Sequence, residues 1–329
     1  MENSQNKKIA LSGIKPTGRP HIGNYFGMIK QMVDMQEEFN SFVFIADYHA
    51  LTTVQNKEDM QEGIMNLMLD HLAIGLDDPK KVTLFKQSDV PQVAELAWIF
   101  NCLTTMPYLM RAHAFKDAEA KNKEINVGVF DYPILMAADI LIQDTDVVPV
   151  GKDQLQHVEM ARDIAQKFNN IFGETFKLPE PKNMMYEKEI IGIDGQKMSK
   201  SYGNTIGLFA EDSEIEKAVM SIPTDSKGVG ESKNPDECNV FALHKLFADE
   251  NQLADIRQKY KQGRMGYKES KDNLIKNIKK FIEPLRDKRK KLVDDKESVL
   301  EKLREGGEVA YQRAEKKMQE VRRKIGVEL

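Results

Sequence analysis

A length of 329 residues predicts more than one domain, since a single hydrophobic core rarely grows beyond about 250–300 residues. The composition is 41% hydrophobic and 30% charged with a net charge of −4, which is typical of a soluble globular protein and means that a nucleic acid would need a local basic surface. Two cysteines without close spacing exclude a disulfide framework and a structural zinc site, and no run approaches the ~20 apolar residues of a membrane span.

The first half of the chain alternates short apolar runs with helical periodicity. Its first eight residues are polar and lack the apolar core of a signal peptide, which favours a cytoplasmic location. The apolar runs predict strands at residues 9–14, 42–45, 82–85 and 147–150. Helices are expected after residue 21, over residues 57–74, and from the segment 151–154 through residue 168. This order predicts an α/β fold, a Rossmann-like doubly wound parallel sheet that binds ligands at the carboxyl ends of its strands.

The last third of the chain has a different character. From about residue 211, helical periodicity and charge dominate, so we expect a Rossmann-like catalytic domain over residues 1–200 and an α-helical C-terminal domain over residues 201–329. Residues 251–290 contain thirteen Lys and Arg against five Asp and Glu, which fits either a solvated helical face or a surface for RNA phosphates. Residues 294–324 predict one long helix, broken at Gly306 and Gly307, that could dock back on the catalytic domain.

Residues 17–24 (TGRPHIGN) follow the first strand and open a helix. Backbone N–H groups and the helix dipole bind anions at such a position. Thr17 adds a hydroxyl and Lys15 a cation, while His21 can donate to a phosphate, with Asn24 on the same helical face. The alternative for His21 is a surface histidine that caps a turn. The spacing differs from the Gly-x-Gly-x-x-Gly dinucleotide motif, so NAD is not indicated.

Two further polar loops carry candidate nucleotide ligands. Residues 197–201 (KMSKS) lie between turn dipeptides and predict a mobile cationic loop, which suits a leaving pyrophosphate. Alone, the same residues would be read as an exposed basic loop. Gly151 and Asp153 follow the fourth predicted strand, where Asp153 could accept ribose hydroxyls, cap the next helix, or do both.

A single carboxylate, Asp139, stands in the apolar run of residues 132–142. A buried carboxylate is costly without a donor, so Asp139 either meets a backbone, Arg or Lys donor inside the fold or accepts a ligand N–H. In the second case it would select a flat aromatic ligand with one donor. His49, after the second predicted strand, could contact the substrate or be structural. The remaining histidines show no metal-binding spacing, and we expect no metal site.

Residues 17–24 and 197–201, in this order, resemble the two signature motifs of class I aminoacyl-tRNA synthetases. Residues 12–18, 21–25, 131–141 and 148–157 resemble the tryptophanyl-tRNA synthetase family more specifically, and the similarity extends over about residues 9–225. The resemblance implies activation of L-tryptophan by ATP to tryptophanyl-adenylate and pyrophosphate, followed by transfer to tRNA(Trp). It also implies a homodimer, and Mg²⁺ that accompanies ATP without a dedicated protein site.

The resemblance also implies roles for individual residues. The residues implied in catalysis are Thr17, His21, Asn24, Lys197 and Lys200. Further ATP contacts are implied for Lys15, Pro16, Gly23, Gly151, Lys152, Asp153, Ile190, Met198, Ser199 and Ser201. The tryptophan pocket is implied to consist of Asp139, which accepts the indole N–H, and of Tyr132, Met136, His49, Val148, Val150 and Gln154. Lys15 and Lys152 stand where the family usually has Gln and Glu, so the exact ATP contacts stay open.

Three other functions fit parts of the same pattern. Tyrosyl-tRNA synthetases share the fold and the chemistry, but typically differ around position 139. A small-molecule nucleotidyltransferase shares a motif like that at His21, but leaves the basic helical third unexplained. A noncatalytic RNA-binding paralogue is the third alternative, and the intact His21, Asn24, Lys197 and Lys200 argue against it.

Overall fold

The computed structural model describes residues 7–112, 115–116, 125–151, 154–183 and 189–328. The strands are β1 (Ile9–Ile14), β2 (Asn40–Ile45), β3 (Val82–Lys86), β4 (Val147–Val150) and β5 (Glu180–Asn183). The helices of the first half are α1 (Ile22–Asn24), α2 (Lys30–Met35), α3 (Asp47–Ala50), α4 (Lys57–Ala73), α5 (Gln92–Leu103), α6 (Met106–Leu109), α7 (Val127–Ile142) and α8 (Leu155–Phe172). Those of the second half are α9 (Asp212–Met220), α10 (Asn239–Phe247), α11 (Glu250–Lys261), α12 (Tyr267–Asp294) and α13 (Lys296–Ile325).

The five strands form one parallel sheet in the order β3-β2-β1-β4-β5. This order confirms the Rossmann-like doubly wound fold and the four predicted strands. The fifth strand, Glu180–Asn183, was not predicted, because its side chains are polar and largely exposed. Its backbone pairs with β4 at the sheet edge, so hydrogen bonding rather than apolar burial makes it a strand. The chain reverses its direction of winding between β1 and β4, and a doubly wound sheet binds ligands beside that point.

A large apolar core covers one face of the sheet. It combines side chains of β1–β4 with those of α5, α7, α8 and α13. The rings of Phe100, Phe168 and Phe176 lie with their centroids 4.9–6.4 Å apart at its centre. Close-packed interiors have low compressibility, so the loops at the strand ends start from a rigid frame.

The last helix, α13, is continuous, so the predicted break at Gly306 and Gly307 is wrong. A Cβ at Gly306 would lie 1.8 Å from the carbonyl oxygen of Leu84, and one at Gly307 would lie 2.9 Å from Asp89 Oδ2. The two glycines therefore allow α13 to approach β3 closely, and do not interrupt the helix.

Two compact units can be separated by their internal contacts. The first comprises residues 1–18, 31–185 and 295–329, and contains the sheet and α13; the second comprises residues 19–30 and 186–294. These bounds differ from the expected division at residue 200, because the segment around His21 and the loop at 197–201 both belong to the mainly helical second unit. No helix in the described parts of the chain is long and apolar enough to cross a membrane.

Candidate active site

Candidate ligand-binding residues of the first unit follow the carboxyl ends of four adjacent strands. Residues 15–17 follow β1, His49 lies in α3 just after β2, Gln87 directly follows β3, and Gly151 directly follows β4. Parallel strands present all these positions at one edge of the sheet. That edge is therefore where a ligand of this unit is expected.

Asp139 is buried, on the inner face of α7, and has two side-chain partners. The ring Nε2 of His49 lies 3.0 Å from Asp139 Oδ2. The amide Nε2 of Gln87 donates to Oδ1 at 3.0 Å and to Oδ2 at 2.8 Å. Burial raises the pKa of the Asp139 carboxyl, and the hydrogen bonds from His49 and Gln87 act in the opposite direction. Asp139 thus meets donors inside the fold, but they are His and Gln side chains instead of the expected backbone, Arg or Lys groups.

Tyr132 lies on α7 about two turns before Asp139 and connects its partner His49 to further polar groups. Its ring lies edge-on to His49 with centroids 6.1 Å apart, and its hydroxyl lies 2.8 Å from His157 Nε2. The ammonium of Lys15 lies 6.0 Å from the centroid of the Tyr132 ring and 3.4 Å from Thr52 Oγ1. A cavity of about 310 Å³ opens beside His49 and Tyr132. Two predicted site residues, His49 and Tyr132, therefore line this opening, and the predicted residues Asp139 and Lys15 contact them.

The other predicted pocket residues lie nearby in the fold or outside its described part. Val148 and Val150 are buried on β4 and belong to the apolar core, against which Met136 also packs. Gln154 stands immediately before α8. Pro16 is buried against α4, where Gly63 leaves room for its carbonyl group. Lys152 and Asp153 lie outside the described residues.

In the second unit, His21 and Asn24 form a reciprocal cap at the start of α1. His21 Nδ1 accepts the N–H of Asn24 at 3.3 Å, and Asn24 Oδ1 accepts the N–H of His21 at 3.1 Å. His21 does cap a helix, but it is buried and not the surface histidine of the alternative interpretation. Its backbone also pairs with Gly207. A Cβ at Gly23 would lie 2.9 Å from the His21 ring and 3.0 Å from Met198 Sδ. Only glycine therefore fits between His21 and the motif at residues 197–201.

The protonation of His21 follows from these contacts. Burial, together with the nearby Lys200 ammonium, lowers the pKa of His21 to about 4, so the ring is neutral at pH 7. Since Nδ1 accepts a backbone N–H, the proton of the neutral ring resides on Nε2. His21 can therefore donate a hydrogen bond to an anion without carrying a charge.

Residues 190–204 form a folded loop that carries the Lys197–Ser201 motif. Met198 N–H donates to the Ile190 carbonyl at 2.8 Å, and Lys197 pairs with Glu189 at 3.2 Å. Ser199 Oγ accepts the Ser201 N–H at the start of a 3-10 turn over Lys200–Tyr202. Lys197 and Lys200 thus both belong to one locally ordered segment.

Asn204, which was not among the predicted residues, holds this loop together. Its Oδ1 accepts the Ser199 N–H at 2.8 Å, and its Nδ2 donates to the Lys197 carbonyl at 3.0 Å and to Asp194 Oδ1 at 2.7 Å. The Asn204 side chain is only 2% exposed. The Gly203–Asn204 dipeptide marked a turn in the sequence, but only the fold shows that its amide joins both ends of the motif.

Several cations of the basic stretch are paired within the second unit. Arg286 donates to the Ala210 carbonyl at 2.7 Å and to Asp212 at 2.9 Å. Lys279 pairs with Asp212 and Glu216. This part of the positive charge joins α12 to α9. Arg286 is buried, so it belongs neither to a solvated helical face nor to a free surface for RNA phosphates.

Comparisons with known proteins give a consistent result. A family model described as tRNA synthetases class I (W and Y) matches residues 3–283. A tryptophan–tRNA ligase of Rhodopirellula baltica is 47% identical over 317 residues, which are 96% of this chain and 99% of the relative. A tryptophan–tRNA ligase of Fusobacterium nucleatum is 46% identical over 321 residues, which are 97% of this chain and 98% of the relative.

A solved structure is similarly close. The crystal structure of a Campylobacter jejuni tryptophanyl-tRNA synthetase complexed with ADP and tryptophan superposes with a TM-score of 0.92. It shares 44% identity with this chain, and the match covers 97% of this chain and 99% of the other. The similarity therefore includes both compact units.

Proposed function

Because this chain belongs to the class I tRNA synthetase family of the tryptophan and tyrosine enzymes, we propose that the residues described above activate tryptophan with ATP and transfer it to tRNA(Trp). The chain has the function of a tryptophan–tRNA ligase. The observation that carries this function is the near-complete match to tryptophan–tRNA ligases at 44–47% identity. The tyrosine alternative is set aside, because these close relatives are tryptophan enzymes.

In the first step the carboxylate of tryptophan attacks the α-phosphorus of ATP in line with the departing pyrophosphate. Positioning and electrostatic stabilisation carry such a reaction, so the chain needs neither a covalent intermediate nor a general base. His21 donates from its protonated Nε2 to the phosphoryl oxygens, and Thr17 and Asn24 add further donors. A neutral imidazole suits this role, because it stabilises charge without releasing a proton.

Lys197 and Lys200 stabilise the charge that grows on the pyrophosphate. Lysine serves as a compact point charge that does not require a fixed bidentate geometry. The folded loop around Asn204 supports this assignment, since both lysines belong to the same ordered segment. Further ATP contacts are proposed for Lys15, Pro16, Gly23, Gly151, Lys152, Asp153, Ile190, Met198, Ser199 and Ser201.

Tryptophan is selected through Asp139. Its carboxylate has room for about four donors, and the side chains of His49 and Gln87 use three of these positions. One position on Oδ1 is left for the indole N–H, and Tyr132 and the apolar side chains of α7 and β4 form the surroundings. The pocket residues proposed with Asp139 are Tyr132, Met136, His49, Val148, Val150 and Gln154.

In the second step a ribose hydroxyl of the terminal tRNA adenosine attacks the adenylate. The anticodon-binding region is proposed to lie in the helices of the second unit, since α13 packs with the sheet of the first. Those cations of α11 and α12 that do not join helices are candidates for phosphate contacts. Salt dependence of tRNA binding would report how many of them take part.

The assembly and the ion requirement complete the proposal. Mg²⁺ enters with the phosphates of ATP; within the described residues, no group of three His, Cys, Asp or Glu is arranged to hold a metal.

The active form is a homodimer in the cytoplasm. Exposed apolar side chains on and near α5 and α6, including Trp98, Met106 and Met110, support a second copy as the occupant of that surface.

One experiment tests the function directly. Pyrophosphate exchange into ATP is measured with each of the twenty amino acids in turn, in the presence of Mg²⁺. We expect exchange with tryptophan alone and charging of tRNA(Trp). Exchange with tyrosine instead, or no exchange with any amino acid, would contradict the proposal.

A further inference from the structure

Gln87 connects the two polar groups of the tryptophan pocket. Its side-chain Nε2 lies across both oxygens of Asp139, at 3.0 and 2.8 Å, while its Oε1 accepts the backbone N–H of His49 at 3.2 Å. The residue is only 1% exposed. These contacts also fix the orientation of the amide, since the opposite orientation would place two oxygens against each other and two N–H groups against each other.

The arrangement decides which acceptor position stays available. His49 Nε2 and Gln87 both donate to Oδ2, whereas Oδ1 receives only the bond from Gln87. A carboxylate oxygen accepts about two hydrogen bonds, so Oδ1 retains capacity for one more donor. The Nε2 of Gln87 fixes the plane of the Asp139 carboxylate. Through its hydrogen bond to the His49 backbone, Gln87 also positions the second donor, which is the His49 ring.

We propose that Gln87 is a positioning residue for amino-acid selection, which orients the Asp139 carboxylate so that Oδ1 meets the indole N–H. This inference rests on the proposed function and deepens it. Gln87 need not contact the substrate, because it acts through Asp139 and His49. A purely structural role would instead affect folding and all substrates alike.

The chain offers a matched control. Gln143 is also 1% exposed in the first unit, but its amide donates to the Ala310 carbonyl at 3.2 Å and has no contact with Asp139. Substitution of either glutamine by methionine keeps the length of the side chain and removes the amide. Differences between Q87M and Q143M therefore report the contacts of Gln87 and not the loss of a buried amide in general.

The test compares tryptophan with 3-(benzothiophen-3-yl)alanine, in which sulfur replaces the indole N–H. In pyrophosphate exchange, we expect Gln87→Met to lower kcat/KM for tryptophan at least tenfold, mainly through KM for tryptophan. The KM for ATP and the kcat/KM of the analogue should each change less than threefold. Gln143→Met should leave the preference for tryptophan over the analogue unchanged.

A double substitution checks that Gln87 acts through the carboxylate. In an Asp139→Asn background, adding Gln87→Met should cause less than a threefold further loss, because the oriented carboxylate is already absent. If Gln87→Met does not fold, Gln87→Glu keeps the size and the acceptor for the His49 N–H, but opposes the Asp139 charge. It should also reduce the preference for tryptophan at least tenfold.

The outcomes separate the two proposals. A wild-type protein that does not activate tryptophan would overturn the proposed function itself. A wild-type protein that prefers tryptophan over the analogue, with an equal preference in both Gln87 variants, would overturn only the role of Gln87. Equal losses on both substrates would assign Gln87 a structural role and would also overturn the inference.

Discussion

His21 and Asn24 each accept the backbone N–H of the other, across distances of 3.3 and 3.1 Å. This exchange ties the imidazole to the first turn of α1 and keeps its proton on Nε2. The structural cap and the proposed phosphate donor are therefore the same side chain, and a substitution has to separate the two roles.

Replacement of His21 by alanine is expected to lower the rate of tryptophanyl-adenylate formation by about 10²–10³, as for loss of one donor to a developing oxyanion. Tryptophan affinity should change little, because His21 is proposed to contact phosphate. Single-turnover kinetics with separately measured tryptophan binding would check this. Asparagine at position 21 is the control, since it can cap the helix but lacks the imidazole. Equal losses in rate and tryptophan affinity would contradict the assignment.

Replacement of Asp139 by alanine is expected to relax the choice of amino acid. Without the buried acceptor, a side chain that lacks an N–H no longer leaves a polar group unpaired. The measurement is the ratio of kcat/KM for tryptophan to that for phenylalanine in pyrophosphate exchange, which should fall at least tenfold. An unchanged ratio would show that this carboxylate is structural.

Asn204→Ala is expected to release both ends of the Lys197–Ser201 motif, because three side-chain hydrogen bonds are lost. We predict at least a tenfold lower rate of adenylate formation, with tryptophan affinity unchanged. Asn170→Ala provides the control, since Asn170 is an exposed residue of α8 in the first unit, and its side-chain oxygen accepts a hydrogen bond from Gln166 of the same helix at 3.0 Å. Equal rates in the two variants would argue against a role for Asn204 in ordering the loop.

Gly306→Ala is expected to destabilise the fold by at least about 2 kcal/mol, although alanine is the better helix former. The added Cβ would lie 1.8 Å from the Leu84 carbonyl oxygen, so helix α13 would have to move away from β3. Gly27→Ala is the matched case, because nothing lies within 4 Å of its added Cβ, and it should be neutral or stabilising by up to about 1 kcal/mol. Urea unfolding measures both, and equal effects would refute the close-packing explanation.

His71 is expected to make stability depend on pH. Burial lowers its pKa to about 4 from the usual 6.5, and both ring nitrogens lack a hydrogen-bond partner within the described structure. The unfolded chain therefore binds the proton first, so stability is highest above about pH 6.5 and falls toward pH 4, by up to about 1.4 kcal/mol per pH unit.

Urea unfolding of the wild type and of His71→Leu at pH 7.5 and 5.5 tests this expectation. The loss of stability between the two pH values should be smaller in the variant. His21 and His244, whose pKa values are also lowered to about 4 by burial, contribute equally to both proteins. An identical pH dependence in wild type and variant would contradict the expectation.

The sheet could be predicted from local patterns wherever a strand is buried on both faces. The strands β1 to β4 have such apolar runs, and their alternation with helices is sufficient to indicate parallel order. The strand β5 could not be found in this way, since an exposed edge strand needs no apolar side chains. The helix break predicted at Gly306 and Gly307 is wrong for a related reason. A glycine pair indicates a break only when no neighbouring backbone requires the space.

By itself, the sequence determined the class of reaction, because the two signature motifs and the carboxylate at position 139 are recognisable as short local patterns. Only the tertiary structure decided which groups surround that carboxylate. His49 and Gln87 lie 90 and 52 positions from Asp139 along the chain, and their hydrogen bonds depend on how the strands β2 and β3 are placed relative to the helix α7. Such contacts have no local sequence signal, since packing of the whole sheet brings the donors within 3.0 Å.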